Sequence, residues 1–335
     1  MNYLYFKGWR MLVGMLLPGL LLHCVQPKSP DSDFLHEVNS GPKPWMSEDF
    51  TPDPDAFTFG IISDLNGGER SGIFSRAVTQ LNGLDPDFVL SVGDLIDGGT
   101  EDTLILKKQW EAFDARAGKL NMPFFHLGGN HDLSNLKMQQ FWENRYGPRY
   151  YHFLYKNVLF LILDSEDYTE TRFQEMYMAR DSALKIISGE LPGNYEESTY
   201  YHMPERTFGA LSLKQQKHFK QVLENYTNVR WTFLLMHKPL WLRTDELGLG
   251  QLEANLSGRG YTVINGHLHS LAHRERFGRD YITLGTTGGS QTPGDPRAID
   301  HITLVRMSST PRISHLVLDG ILQLDGTLPT LDTTN

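Results

Sequence analysis

The chain has 335 residues, 40% of them hydrophobic and 21% charged, with a formal net charge of −9 and a single cysteine. This content supports a sizeable core and excludes a disordered chain, and the acidic balance leaves no basic footprint for the phosphates of a nucleic acid. With Cys24 as the only thiol, no internal disulfide can form and the fold must rest on its core.

In chain order, Lys7 and Arg10 precede the apolar run MLVGMLLPGLLL at 11–22, which is followed by His23 and Cys24. A basic start and an apolar core of this length match an export signal and fall short of a comfortable membrane span. A cysteine just past such a core also resembles a bacterial lipoprotein signal, although His23 stands where that pattern has a small residue. Residues 1–24 are therefore expected to direct export, leaving the protein periplasmic, extracellular or attached to a bacterial membrane through its N-terminus. Residues 25–50 are rich in Pro, Ser and Asp and read as a linker or an arm laid on the surface. The folded domain is expected over 51–325 and a frayed tail over 326–335.

Within the domain, apolar runs keep ending in polar groups: TFGIISD at 58–64, DFVLSVGD at 87–94, MPFFHLGGNHD at 122–132, VRWTFLLMH at 229–237 and YTVINGHLH at 261–269. Continuous apolar runs bounded by Gly, Pro and Asn read as strands buried on both faces. Helical patterns lie between them at 71–84, 103–118 and 212–226, the last with Ser212 as N-cap. Alternating strands and helices predict a layered α/β fold, in which ligands bind beyond the carboxyl ends of the strands. Asp64, Asp94, Asn130, His131, His237, His267 and His269 would then converge at one edge of the sheet. Carboxylate, amide oxygen and imidazole together suit a pair of divalent ions, Mn, Fe, Zn or Mg, and suit soft ions poorly.

These segments resemble those of the calcineurin-like metallophosphoesterases. SVGDLIDGG is similar to their GDxxD segment, GGNHD to GNH(D/E), LLMH to the lone histidine after a strand and NGHLH to GHxH, in the family's order across residues 59–270. The family's first segment, DxH, departs: this chain has Asp64, Leu65 and Asn66. The resemblance implies two sheets packed as a β-sandwich and flanked by helices. It also implies hydrolysis of a phosphate monoester or diester by a water that two divalent ions activate.

Carried over by position, it puts Asp64, Asn66, Asp94 and His269 around one ion and Asp94, Asn130, His237 and His267 around the other, with Asp94 bridging. Asn66 would offer a carbonyl oxygen where the family has an imidazole, making that site harder and its ion more weakly held. Its alternative reading is a turn residue before a Gly-rich loop. His131 is the candidate general acid, Asp132 the group expected to orient its ring, and Asp97 a support for the loop. A second reading of the whole is a lapsed phosphoesterase that serves as a cell-surface binding protein.

His126, His152, His202, His273 and His301 read as ordinary, satisfied polar residues. Asp164 ends another apolar run and reads as a loop cap at the site's margin. The insertion at 166–211 reads as a lid, binding loop or partner surface. Within it, Arg172, Arg180, Arg206 and Tyr201 either reach a phosphate or pair with neighbouring acids. Three apolar runs after residue 270 read as antiparallel strands completing a second sheet.

Overall fold

The computed structural model describes residues 33–50, 56–66 and 68–318, together with Met1. The expected export signal, the first part of the linker and the C-terminal tail lie outside the described residues. Among those described, no helix is long and apolar enough to cross a membrane.

The first half runs β1 (Phe34–His36), β2 (Phe57–Ile62), α1 (Ile73–Leu84), β3 (Phe88–Ser91), α2 (Thr103–Ala117), β4 (Phe124–Phe125), α3 (Leu136–Tyr146), β5 (Tyr151–Tyr155) and β6 (Val158–Ile162). The second runs α4 (Glu170–Ile187), α5 (Thr199–His202), α6 (Glu205–Phe208), α7 (Leu213–Asn225), β7 (Trp231–Met236), α8 (Gly250–Asn255), β8 (Tyr261–Asn265), β9 (Ala272–Arg276), β10 (Arg279–Thr283), β11 (His301–Met307) and β12 (Pro311–Val317). The three helices expected from sequence are α1, α2 and α7, each within two residues of its predicted ends. Capping explains two of the starts: Asp102 accepts the amides of Leu104 and Ile105, and Ser212 accepts that of Gln215.

Seven strands form one sheet in the order β1-β5-β6-β7-β8-β10-β9, and five form the other, β12-β11-β2-β3-β4. Period-two alternation makes both faces of the central strands apolar. Phe59, Ile61, Phe88 and Leu90 meet Phe160, Ile162, Phe233 and Leu235 between the sheets. Val89 and Phe124 pack outward with Phe74, Trp110, Phe113 and Trp142 of α1 to α3. Leu159, Leu161, Leu234 and Met236 pack outward with Phe219, Leu223 and Leu252 of α7 and α8. The result is the helix, sheet, sheet, helix sandwich that the resemblance implied.

Two expectations change. The segment read as a surface arm belongs to the fold from residue 33 onward. β1 pairs antiparallel with β5, Phe34, Val38 and Trp45 are buried, and Met46 and His126 exchange backbone hydrogen bonds with Phe124 and Pro44 at 3.0 and 2.7 Å. This arm therefore closes an edge of each sheet. After residue 270, only β11 and β12 join the second sheet antiparallel; β10 lies in the seven-stranded sheet, parallel to β8.

Candidate metal centre

The parallel strands β2, β3 and β4 of one sheet and β7 and β8 of the other end on the same rim. The predicted residues sit on the loops just beyond, so the site lies between two sheets rather than at the edge of one. Asp64, Asp94 and His269 present donor atoms within 4.8 Å of one another, and so do Asp94, His237 and His267. Asp94 belongs to both groups.

The backbone is bent to bring them there. Asp64, Asp94, His267 and His269 have φ of 48°, 58°, 71° and 53°, a left-handed conformation that costs a non-glycine residue on the order of 1 kcal/mol or more. Glycines let the loops close. A Cβ on Gly129 would collide with the Asp94 carboxylate, and one on Gly266 would collide with that of Asp64.

Each of the three metal-type histidines gives one ring nitrogen to a main-chain carbonyl. His237 Nδ1 lies 2.8 Å from Val92 O, His267 Nε2 2.8 Å from Arg206 O and His269 Nδ1 2.5 Å from Ser290 O. A carbonyl only accepts, so these nitrogens carry the protons and the opposite nitrogens turn lone pairs inward. His237 Nε2 is then 3.2 Å from Asp94 Oδ2, 3.2 Å from Asn130 Oδ1 and 3.3 Å from His267 Nδ1. His269 Nε2 is 3.1 Å from Asp64 Oδ1. Two buried imidazole lone pairs facing each other at 3.3 Å, beside a carboxylate, are reconciled only by a cation or an added proton. The donor set therefore fits a pair of divalent ions.

The protonation tendencies follow from the same contacts. Burial opposes charge on His237, but the Asp94 carboxylate overrides it and raises the ring to about 9. Burial would likewise push Asp94 up, yet the charges of His237 and His131 hold it well below the usual carboxylate range. Burial and the charge of His237 drive His267 far down. The pocket thus draws positive charge toward Asp94.

Asp132 does not touch the His131 ring. Its Oδ1 accepts the amides of Leu95 and Ile96 at 2.8 and 3.1 Å, and its Oδ2 accepts that of Gly129 at 2.8 Å. It clamps the loop after β3 to the loop after β4. His131 Nδ1 instead donates to the Asp97 carbonyl at 2.8 Å, and the His131 amide holds Asp94 Oδ1 at 2.8 Å. Asp97 thus supports the loop, but through its backbone. Asn66 is buried two residues beyond Asp64, and among the described residues its Nδ2 has no partner and no side-chain hydrogen bond joins it to the cluster.

Asp164 caps its loop by accepting the Glu166 amide at 2.8 Å and pairs with Arg149 at 2.6 Å. Arg172 pairs with Glu205 at 2.9 Å, whereas Arg180 lines a small recess with Asn130, Tyr177 and Tyr200. Sequence reasoning missed Lys238, wholly buried beside His237, where it pairs with Glu166 at 2.7 Å and donates to the Glu205 carbonyl at 3.0 Å. These bonds, with the one from His267 to Arg206, pin the insertion against the centre. A lysine inside the apolar stretch LLMHKPLW was the available signal.

A sequence model described as "Calcineurin-like phosphoesterase" matches residues 57–271. The chain is 22% identical over 245 residues to the human manganese-dependent ADP-ribose/CDP-alcohol diphosphatase, covering 58% of this chain and 71% of that one. Its fold is similar to that of a dimetal phosphatase from Danio rerio (TM-score 0.53, 17% identity, 79% of this chain and 97% of that one). It is also similar to GAP50, the anchor in the inner membrane complex of Plasmodium (TM-score 0.50, 14% identity, 79% and 85%).

Proposed function

Since this chain belongs to the calcineurin-like phosphoesterase family and is thereby a binuclear metal-dependent phosphoester hydrolase, we propose how its own residues divide that work. Asp64, Asp94 and His269 hold one divalent ion, with the Asn66 carbonyl oxygen completing the set. Asp94, Asn130, His237 and His267 hold the other. When bound, such a pair supplies Lewis-acid charge to the phosphate oxygens and acidifies a shared water toward neutral pH. The single observation that carries the assignment is the convergence of the His237 and His267 nitrogens, 3.3 Å apart, on the Asp94 carboxylate.

The remaining steps belong to side chains. His131, its Nδ1 proton held by Asp97 O, would as the imidazolium deliver its Nε2 proton to the leaving oxygen. Asp132 keeps the Asp94 and Asn130 loops in register through three amide bonds. Arg180, which lines the small recess beside Asn130, is the cation placed to meet a phosphate of the substrate. The human relative's name gives manganese, ADP-ribose and CDP-alcohols, and a nucleoside diphosphate joined to a sugar or an alcohol is the substrate class we carry to this chain.

Metal-stripped protein reloaded with Mn, Fe, Zn or Mg and offered ADP-ribose, an aryl phosphate and an aryl phosphodiester tests the proposal. Turnover with Mn that Asp94→Asn abolishes is the expected result. Turnover of the aryl esters without turnover of ADP-ribose would refute the substrate class, and full turnover by Asp94→Asn would refute the division of ligands. We also propose that the basic and apolar segment at 7–22 directs export. Mass spectrometry of the N-terminus would distinguish cleavage before Cys24 with an added lipid, cleavage alone and the intact start of an uncleaved signal anchor, and protein confined to the cytoplasmic fraction would refute export through this segment.

A further inference from the structure

We propose that Glu37, His152 and His218 form a second, mononuclear cation site of zinc type, separate from the phosphoesterase centre, which clips the N-terminal arm to the body of the fold. Glu37 follows β1 directly, His152 lies on β5 and His218 on α7, so one ion would join three elements far apart in sequence. Their donor atoms all lie within 4.8 Å of one another.

His152 Nδ1 stands 2.9 Å and His218 Nε2 3.3 Å from the same oxygen, Glu37 Oε1. Both ring nitrogens are buried, and among the described residues neither makes a properly directed hydrogen bond. Two ligands ~2.0–2.1 Å from a tetrahedral zinc stand roughly 3.4 Å apart, close to these contacts. Imidazole and carboxylate are the donors zinc takes when thiolate is absent. Sequence alone gave His152 the reading of an ordinary polar residue, since neither Glu37 nor His218 is near it in the chain.

The surroundings favour a bound cation. Tyr226 packs on the His152 ring at 5.5 Å and Tyr150 on that of His218 at 5.4 Å, which fixes both imidazoles. Glu37 Oε1 also accepts the His152 amide at 2.8 Å, so the carboxylate is anchored before any ion arrives. A cavity of about 470 Å³, walled by Glu37, Glu143, Arg149, Tyr150, Lys214 and His218, gives an ion access and water for its remaining position. Burial pushes the Glu37 carboxyl up, but the two imidazoles outweigh it and hold the group down to about 2. At neutral pH it is an anion that needs a positive partner. That partner is either two ring protons or one divalent ion.

Zinc titration of the metal-stripped full-length protein, against a chromophoric chelator, separates the two. Wild type should bind one zinc more per chain than either His218→Ala or Glu37→Gln. Both variants should keep wild-type turnover with Mn, which also certifies that they are folded. Equal zinc stoichiometry in wild type and both variants would overturn the proposal and assign the cluster to protonated imidazoles. Loss of the phosphoesterase ions would lower all three proteins alike, so the one-ion difference reads independently of the active centre.

Discussion

Replacing Gly129 by alanine tests whether the close approach of the two loops governs the chemistry. The added Cβ would lie 2.6 Å from the Asp94 amide nitrogen and 2.8 Å from His237 Cγ, and it would collide with the Asp94 carboxylate. Ordinary contact begins at 3.4 Å, so these groups must retreat by 3.4 − 2.6 = 0.8 Å and 3.4 − 2.8 = 0.6 Å. Misplacement of reacting groups by ~1 Å costs about 10²-fold in rate. Gly129→Ala should therefore lower kcat/KM about 10²-fold, equivalent to roughly 2.7 kcal/mol of lost transition-state stabilisation, and weaken manganese binding in parallel. The assay is steady-state turnover over a manganese series, with a thermal melt to confirm folding. Gly83→Ala is the control, because its new methyl meets nothing within 4 Å and it lies inside α1. That change should leave turnover alone and raise stability by about 0.5–1 kcal/mol. A folded Gly129→Ala protein with near wild-type activity would refute the reasoning.

Asn66→His, which restores an imidazole beside Asp64, should tighten the more weakly held manganese in a calorimetric titration while turnover persists; weaker binding would remove Asn66 from the ligand set. Lys238→Met leaves the buried Glu166 without its partner and should cost about 3–5 kcal/mol in urea denaturation, most of it recovered by adding Glu166→Leu. Burial lowers His126 from 6.5 to about 4, so the unfolded chain takes the proton first and its contribution, complete above pH 6.5, is lost as pH falls toward 4. That difference of 2.5 units is worth about 3 kcal/mol, and His126→Phe should flatten the fall in stability between pH 7.5 and 4.5 by a comparable amount; an unchanged profile would contradict the assignment.

The parallel strands and their polar exits were legible because apolar alternation and loop chemistry are local. Phe59 through Ile62 must be a buried strand, and an aspartate just after it can only face a rim. Asp132 was misread because adjacency in sequence says little on a tight turn, where neighbouring side chains part. His131 goes to one side, to the Asp97 carbonyl, and Asp132 to the other, to three amides. The sheet that β10 joins depends on a pairing with β8 that no short stretch encodes. The arm at 33–50 was read as lying on the surface because its buried residues, Phe34, Val38 and Trp45, are few and stand isolated among polar residues, Pro and Gly. The roles of Lys238 and of the Arg206 carbonyl depend on contacts across the insertion, which only the folded chain brings into being.

The arm that closes both sheets sets a practical boundary. A shortened protein beginning at residue 51, where composition alone would place the cut, would strip β1 from Tyr151–Tyr155 and residues 44–46 from Phe124–His126 at once. Two rows of backbone donors and acceptors would then lie open beside a pit vacated by Phe34 and Trp45, an invitation for copies to add to one another strand by strand. Soluble recombinant material should therefore keep everything from Asp33 onward, and self-association in trimmed versions would report the missing selvedge rather than a damaged catalyst.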